Sequence, residues 1–135
     1  MSASEQPKPT SPRPDAPLIY IVDDEPLLVD LAEMALKSEG YRIKKFYAGA
    51  TALKSLMAEP AVPALLLTDY AMKPMNGVEL SEQCKGIHPG LKIIMVSGTA
   101  GPEIVISAPV KIDRFLQKPY HPATLLESVR SVLAE

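Results

Sequence analysis

Leu18-Ile19-Tyr20-Ile21-Val22-Asp23-Asp24-Glu25-Pro26 is the stretch on which the fold turns. Its first five residues are apolar without interruption. A run of that kind, continuous rather than alternating, marks a strand covered on both faces, as in a parallel sheet flanked by helices. The run stops at two aspartates, and Pro26 then suits the first turn of a helix, where its missing N–H costs nothing. Leu27, Leu28, Leu31, Met34 and Ala35 repeat at helical spacing, and Gly40 stands just past the helix end.

The same unit recurs along the chain. Tyr41 to Lys44 alternates, which suits an edge strand with one wet face, and Ala50, Leu53, Leu56 and Met57 mark a second, shorter helix. Leu65-Leu66-Leu67 is another fully buried strand, ending at Thr68-Asp69. Asn76-Gly77-Val78-Glu79 resembles a capping box and opens a third helix. Ile93 to Val96 is the next buried strand, ending at Ser97-Gly98. A weak helical stretch from Glu103 to Ser107 is broken by Pro109. Ile112 to Leu116 makes a fifth strand ending at Gln117-Lys118-Pro119, and Leu125, Leu126, Val129, Val132 and Leu133 form the last helix. Strands alternating with helices predict parallel pairing through right-handed crossovers, hence a three-layer α/β domain over residues 18–135. Residues 1–17 hold five of the fourteen prolines and no apolar segment, the composition of a disordered proline-rich arm.

Composition excludes several function classes. The chain has 135 residues, enough for one domain with a core. Its formal net charge is -2, from 14 basic and 16 acidic residues with no basic run, which argues against nucleic acid or an anionic membrane as main partner. No apolar stretch reaches the ~18 residues that span a bilayer. The single cysteine, Cys84, sits among apolar helix positions and reads as a buried, inert thiol in a reducing compartment. The expectation is a cytoplasmic protein.

The polar residues that remain collect where buried strands end: Asp23 and Asp24, Asp69, Ser97, and Lys118. In open α/β sheets, ligand sites lie outside the carboxyl ends of the strands, near the point where strand order reverses. A lone Asp or Ser at such a place is ordinarily a helix cap. Five such residues at four strand ends point instead to one rim. Three carboxylates held together repel, so they take up protons or bind a cation, and hard oxygens around a wet site suit Mg2+. Beside a lysine and a hydroxyl, that set suits phosphoryl transfer, in which one carboxylate can be the nucleophile. Competing signatures are absent: no phosphate-binding loop GxxxxGK[ST], no GxGxxG, no HExxH and no GxSxG. His88 and His121 both precede prolines in loops, have no partner at metal-ligand spacing, and read as surface residues.

Val22-Asp23-Asp24-Glu25, the segment Asp69-Tyr-Ala-Met-Lys-Pro-Met-Asn-Gly77, the step Val96-Ser97-Gly98 and Phe115-Leu-Gln-Lys118-Pro119 closely resemble, in this order and spacing, the receiver domain of bacterial two-component response regulators, CheY-like domains. The resemblance runs from about Leu18 to Leu133. It implies a flavodoxin-like (βα)5 domain with five parallel strands in the order 2-1-3-4-5. Asp69 would accept the phosphoryl group from the phosphohistidine of a sensor histidine kinase or phosphotransfer protein. Asp24 and Asp69 would bind Mg2+ directly, helped by the backbone carbonyl of Ala71, with Asp23 acting through water. Ser97 and Lys118 would hold phosphoryl oxygens. Ser97 and Phe115 would form the switch that reshapes a surface for a downstream protein partner.

Departures from the family pattern carry their own expectations. Lys73 stands where proline is usual, with Pro74 one place later, and Lys111-Ile112 replaces a usual Gly-Ala. The segment between Ser97 and Phe115 is slightly short and contains Pro102 and Pro109, predicting a shortened or irregular fourth helix. Ala71 has no group to orient an attacking water, and with Thr99 flanks the site, so slow self-dephosphorylation is expected. The sequence stops soon after the last helix, which predicts a single-domain receiver signalling by protein contact, not an enzyme acting on other molecules. The alternatives are a receiver fragment of a larger hybrid kinase or regulator, and a phosphorylation-independent receiver-like binding module. An aspartyl-nucleophile phosphatase is disfavoured because the place of its second acid is taken by Ala71. A homodimer is left open.

Overall fold

The three uninterrupted apolar runs become the buried middle of a sheet. In the computed structural model, which describes residues 13–135, the elements are β1 (Leu18–Val22), α1 (Pro26–Lys37), β2 (Arg42–Phe46), α2 (Gly49–Ala58), β3 (Leu65–Asp69), α3 (Gly77–Ile87), β4 (Lys92–Ser97), α4 (Glu103–Ile106), β5 (Arg114–Gln117) and α5 (Pro122–Ala134). All pairings are parallel, and the strand order is β2-β1-β3-β4-β5. Order reverses between β1 and β3, so the crevice at their carboxyl ends is the natural ligand position.

Alternation along each strand divides the core in two. Tyr20, Val22, Leu66, Ile93 and Met95 point to the layer of α2 and α3. Ile19, Ile21, Leu65, Leu67, Ile94 and Val96 point to the layer of α1 and α5. Both sets are buried, which is why these runs are apolar at every position. Tyr20 spends its hydroxyl on Ser55 at 3.0 Å. β2 is the edge strand expected near Tyr41–Lys44, but it runs from Arg42 to Phe46 and is half-buried at four consecutive positions rather than alternating.

Helix ends follow local chemistry. Pro26 and Pro122 open α1 and α5, and Gly40 has the left-handed φ of 89° that closes the turn after α1. The α3 capping box is formed: the Asn76 side chain accepts from the Glu79 N–H at 2.8 Å, and the Glu79 carboxylate accepts from the Asn76 N–H at 2.9 Å. The fourth helix is a single turn of four residues, Glu103–Ile106, the shortening that Pro102 and Pro109 predicted. The Lys73–Pro74 and Lys118–Pro119 peptides are cis.

Three details differ from the periodicity reading. On α1 the buried residues are Val29, Ala32 and Leu36, while Leu27, Leu31 and Met34 are 69%, 53% and 69% exposed. The stripe was real but is offset, because the small Ala32 lets α1 pack close to the sheet and leaves the larger residues outward. On α2 the buried set is Gly49, Ala52 and Leu56, with Ala50 and Met57 outward. β5 starts at Arg114 rather than Ile112, because Asp113 uses its buried carboxylate to accept the Ile93 N–H at 2.8 Å before regular pairing begins.

Of the proline-rich arm, residues 1–12 lie outside the described residues. Residues 13–17 form a turn at the amino end of the sheet, where the Arg42 guanidinium donates to the Ala16 carbonyl at 2.7 Å.

Candidate functional site: an acidic rim at the switch point

Register brings the strand-end residues together. Val22 pairs with Thr68, so Asp23 and Asp69 emerge side by side where order reverses. Asp69 pairs with Val96, and the Lys118 N–H donates to the Ser97 carbonyl at 2.8 Å, adding the ends of β4 and β5 to the same rim. One carboxylate oxygen from each of Asp23, Asp24 and Asp69 lies within 4.8 Å of the others. Asp23 and Asp69 are buried, and Asp24 is exposed.

Lys118 binds this cluster together. Its ammonium is 2.9 Å from Asp23 Oδ2, 3.0 Å from Asp69 Oδ1 and 3.6 Å from Glu25 Oε1. The second Asp23 oxygen accepts the Glu25 N–H at 3.0 Å, which fixes that carboxylate. Burial pushes the Asp69 carboxyl above its ordinary value; the Lys118 hydrogen bond opposes this, while the charges on Asp23 and Asp24 reinforce it. For Lys118, burial works to lower the ammonium pKa, but the hydrogen bonds it donates to Asp23 and Asp69 outweigh this and hold it above the ordinary lysine value. The excess of negative charge favours the Lys118 cation and reinforces what burial does to Asp69.

Three hard carboxylates beside a wet opening, with one lysine already drawn in as counter-charge, are a donor set that fits Mg2+. Ala71 is exposed in the loop two residues past Asp69. Ser97 is buried at the end of β4, and its hydroxyl accepts the N–H groups of Thr99 and Ala100 at 3.3 and 2.9 Å, capping the turn there. Phe115 is opposite Met95 in β5, half-buried on the α2–α3 side. Thus Asp23 and Asp69 share Lys118, Asp24 joins them in the carboxylate cluster, Ser97 ends the neighbouring strand β4 with its hydroxyl on the backbone, and Phe115 lies further back in β5.

The sequence reading left three site residues without a role. Glu25 adds a third acid to Lys118 and the amide that fixes Asp23. Gly77 is where a Cβ would sit 2.3 Å from the Asp69 carbonyl oxygen. Tyr120, directly after Lys118-Pro119, walls the site from an apolar groove of about 700 Å³ between α1 and α5. The aromatic residue just past a strand-end lysine was the signal for the last. Cys84 is buried with its thiol pushed up to about 11 by burial, the inert role expected of it.

A doubly wound sheet with an acidic, cation-suited rim and one lysine at its switch point defines the class: a receiver-type signalling domain. The sequence model of the response regulator receiver domain matches residues 19–130, and the chain belongs to that family. It is 32% identical over 116 residues to the response regulator receiver protein CpdR of Brucella abortus, covering 85% of this chain and 95% of that protein. It is 28% identical to the transcriptional regulatory protein GlrR of Escherichia coli, covering 87% of this chain but 26% of the relative. Among solved structures, a CheY-like receiver domain protein from Methanospirillum hungatei superposes with a TM-score of 0.81 at 32% identity, over 88% of this chain and 94% of the other. A receiver protein from Sinorhizobium medicae gives 0.80 at 28% identity, over 89% and 96%. The chain therefore spans nearly all of CpdR and about a quarter of GlrR. No described helix is long and apolar enough to cross a membrane.

Proposed function

We propose that the chain is a phosphoacceptor in which Asp69 takes a phosphoryl group from the phosphohistidine of a histidine kinase or phosphotransfer protein. The observation that carries this is the carboxylate trio at the switch point, two of whose members, Asp23 and Asp69, are bridged by Lys118. A carboxylate oxygen of Asp69 attacks phosphorus as the P–N bond breaks. The bond's electron pair stays on the imidazole nitrogen, which then takes a proton from solvent, and the product is an acyl phosphate on Asp69. Asp23, Asp24 and Asp69 would hold Mg2+ with the Ala71 carbonyl, and the ion would supply neutralising charge to the phosphoryl oxygens.

The chain's own groups do the rest. Asp23 is held in place from both sides, by the Glu25 amide and by Lys118. Lys118 now pairs with two carboxylates. Once Asp69 becomes an acyl phosphate its ammonium is free to turn to a phosphoryl oxygen. Ser97 accepts the Thr99 and Ala100 amides through its lone pairs, which leaves its O–H free to donate to a phosphoryl oxygen and ties that contact to the turn leading into α4. Phe115, half-buried in the neighbouring β5, would turn inward in response, so that a local charge event changes the α4–β5–α5 surface for a downstream protein.

A protein donor is favoured by the exposed apolar stripe Leu27, Leu31 and Met34, which opens beside the acidic rim. Signalling by protein contact, rather than by binding nucleic acid, fits the net charge of -2. A single buried, reduced cysteine fits the cytoplasm. The reading is tested by intact-mass spectrometry after incubation with acetyl phosphate. A Mg2+-dependent gain of one phosphoryl group, absent in Asp69→Ala, is expected. A wild-type chain that binds Mg2+ yet gains nothing would leave a phosphorylation-independent binding module as the better reading.

A further inference from the structure

We propose that Tyr120 is a positioning residue whose ring holds Lys118 against Asp23 and Asp69. The proposal rests on the phosphoacceptor reading and adds to it a residue that touches neither phosphoryl group nor metal.

The Lys118 ammonium is useful only if its flexible four-carbon stem is held, because a free lysine samples many rotamers, a loss of roughly 2 kcal/mol of freedom when fixed. One side of the stem is bounded by backbone: a Cβ placed on Gly98 would meet Lys118 Cβ and Cδ at 3.5 and 3.7 Å. Away from Gly98, Lys118 shares the lining of the groove between α1 and α5 with Pro119 and Tyr120. Tyr120 lines two spaces at once. Outward, with Lys118, Pro119 and Pro122, it borders the groove between α1 and α5. Inward, with Asp23, Thr68 and Asp69, it closes a cavity of about 10 Å³ beneath the carboxylates, room for at most one water. Its ring packs on the α1–α5 core layer that includes Ile21, Val29, Leu67 and Val96.

The ring, not the hydroxyl, carries this role. No hydrogen bond joins the Tyr120 hydroxyl to a protein group among the described residues. Burial is the main reason the phenol stays neutral; the Lys118 charge opposes it, and the charges of Asp23 and Asp69 reinforce it. Without the ring, the floor of the site opens into the groove, water reaches the Lys118–carboxylate contacts, and the ammonium gains freedom. Misplacement on the scale of an ångström is enough to cost tenfold or more in a transfer reaction that depends on positioning.

Two measurements on the whole chain test this: the phosphorylation rate at saturating phosphoramidate and Mg2+, and the Mg2+ affinity by calorimetry. Tyr120→Ala is expected to lower the saturated rate about tenfold while binding Mg2+ as tightly as wild type or tighter, because the lysine that competes for the carboxylates is loosened. Tyr120→Phe should restore the rate to within about threefold of wild type. A merely structural role predicts something else: Mg2+ affinity and rate fall together, and that outcome overturns the proposal. So does a folded Tyr120→Ala with the wild-type rate, or a Tyr120→Phe as slow as the alanine variant. Should Tyr120→Ala not fold, Tyr120→Leu fills the same core without the planar ring and is read the same way. If wild type itself takes no phosphoryl group, the phosphoacceptor reading has failed. The calorimetric arm then still decides whether Tyr120 restrains Lys118: tighter Mg2+ binding in the variant supports it, and unchanged or weaker binding refutes it.

Discussion

Replacing Gly77 with alanine puts one methyl group into the joint between α3 and the phosphoacceptor strand. The new Cβ would lie 2.3 Å from the Asp69 carbonyl oxygen, 2.7 Å from Met95 Sδ and 3.0 Å from Tyr70 Cα. Met95 can turn away, but the other two atoms are backbone. A carbon needs about 3.3 Å from a carbonyl oxygen, so the start of α3 must move by about 1 Å relative to β3. That shift strains or breaks the Gly77 N–H bond to the Tyr70 carbonyl, now 2.9 Å. Overpacking costs about 1–3 kcal/mol, and the hydrogen bond about 1 kcal/mol. Alanine's better helix propensity returns up to about 1 kcal/mol. The net loss of about 1–3 kcal/mol corresponds to a Tm lowered by roughly 5–15 °C for a domain of this size. Gly86, near the end of the same helix, has nothing within 4 Å of its would-be Cβ. Gly86→Ala should therefore raise Tm, by an increment of about 0.4–1 kcal/mol. Thermal unfolding followed by circular dichroism measures both, and a Mg2+ titration of Gly77→Ala reads whether Asp69 has moved. Two alanine variants shifting Tm in the same direction would refute the reasoning.

Other outcomes follow from the same structure. Asp69 is held above its ordinary pKa, so its contribution to stability is present below the unfolded value and lost as pH rises through the folded one. Asp69→Asn should therefore raise Tm at pH 7, with the gain vanishing below about pH 4; an equal gain at both pH values contradicts the assignment. Asp113→Ala orphans the buried Ile93 N–H and should cost about 1–3 kcal/mol in urea unfolding; a change under half that would mean solvent satisfies the amide. Cys84 should react with iodoacetamide at neutral pH more than a hundredfold more slowly than a free cysteine until the chain is unfolded. Because Ala71 offers no group to orient water, the acyl phosphate on Asp69 should last minutes or longer, and Ala71→Asn should shorten it. A wild-type lifetime of seconds, followed by intact mass, would count against that account.

Much of this protein was legible in its sequence because two-sided burial writes itself as unbroken apolar runs. Leu18–Val22, Leu65–Leu67 and Ile93–Val96 have no polar positions since both faces are covered, and the polar residues then had to appear where the strands end. That is why Asp23, Asp24, Asp69 and Lys118 could be picked out before they were seen together. The short fourth helix was legible too, from Pro102 and Pro109. What needed tertiary structure was everything set by the neighbour's shape. Which stripe of α1 faces inward depends on how closely Ala32 lets the helix approach the sheet, and period alone cannot supply that offset. The start of β5 depended on a carboxylate, Asp113, reaching across to another strand. Glu25 gained its ion pair with Lys118, ninety-odd positions away, only in the folded chain, because a lysine's partners are set by where its stem is held, not by the residues beside it in the chain.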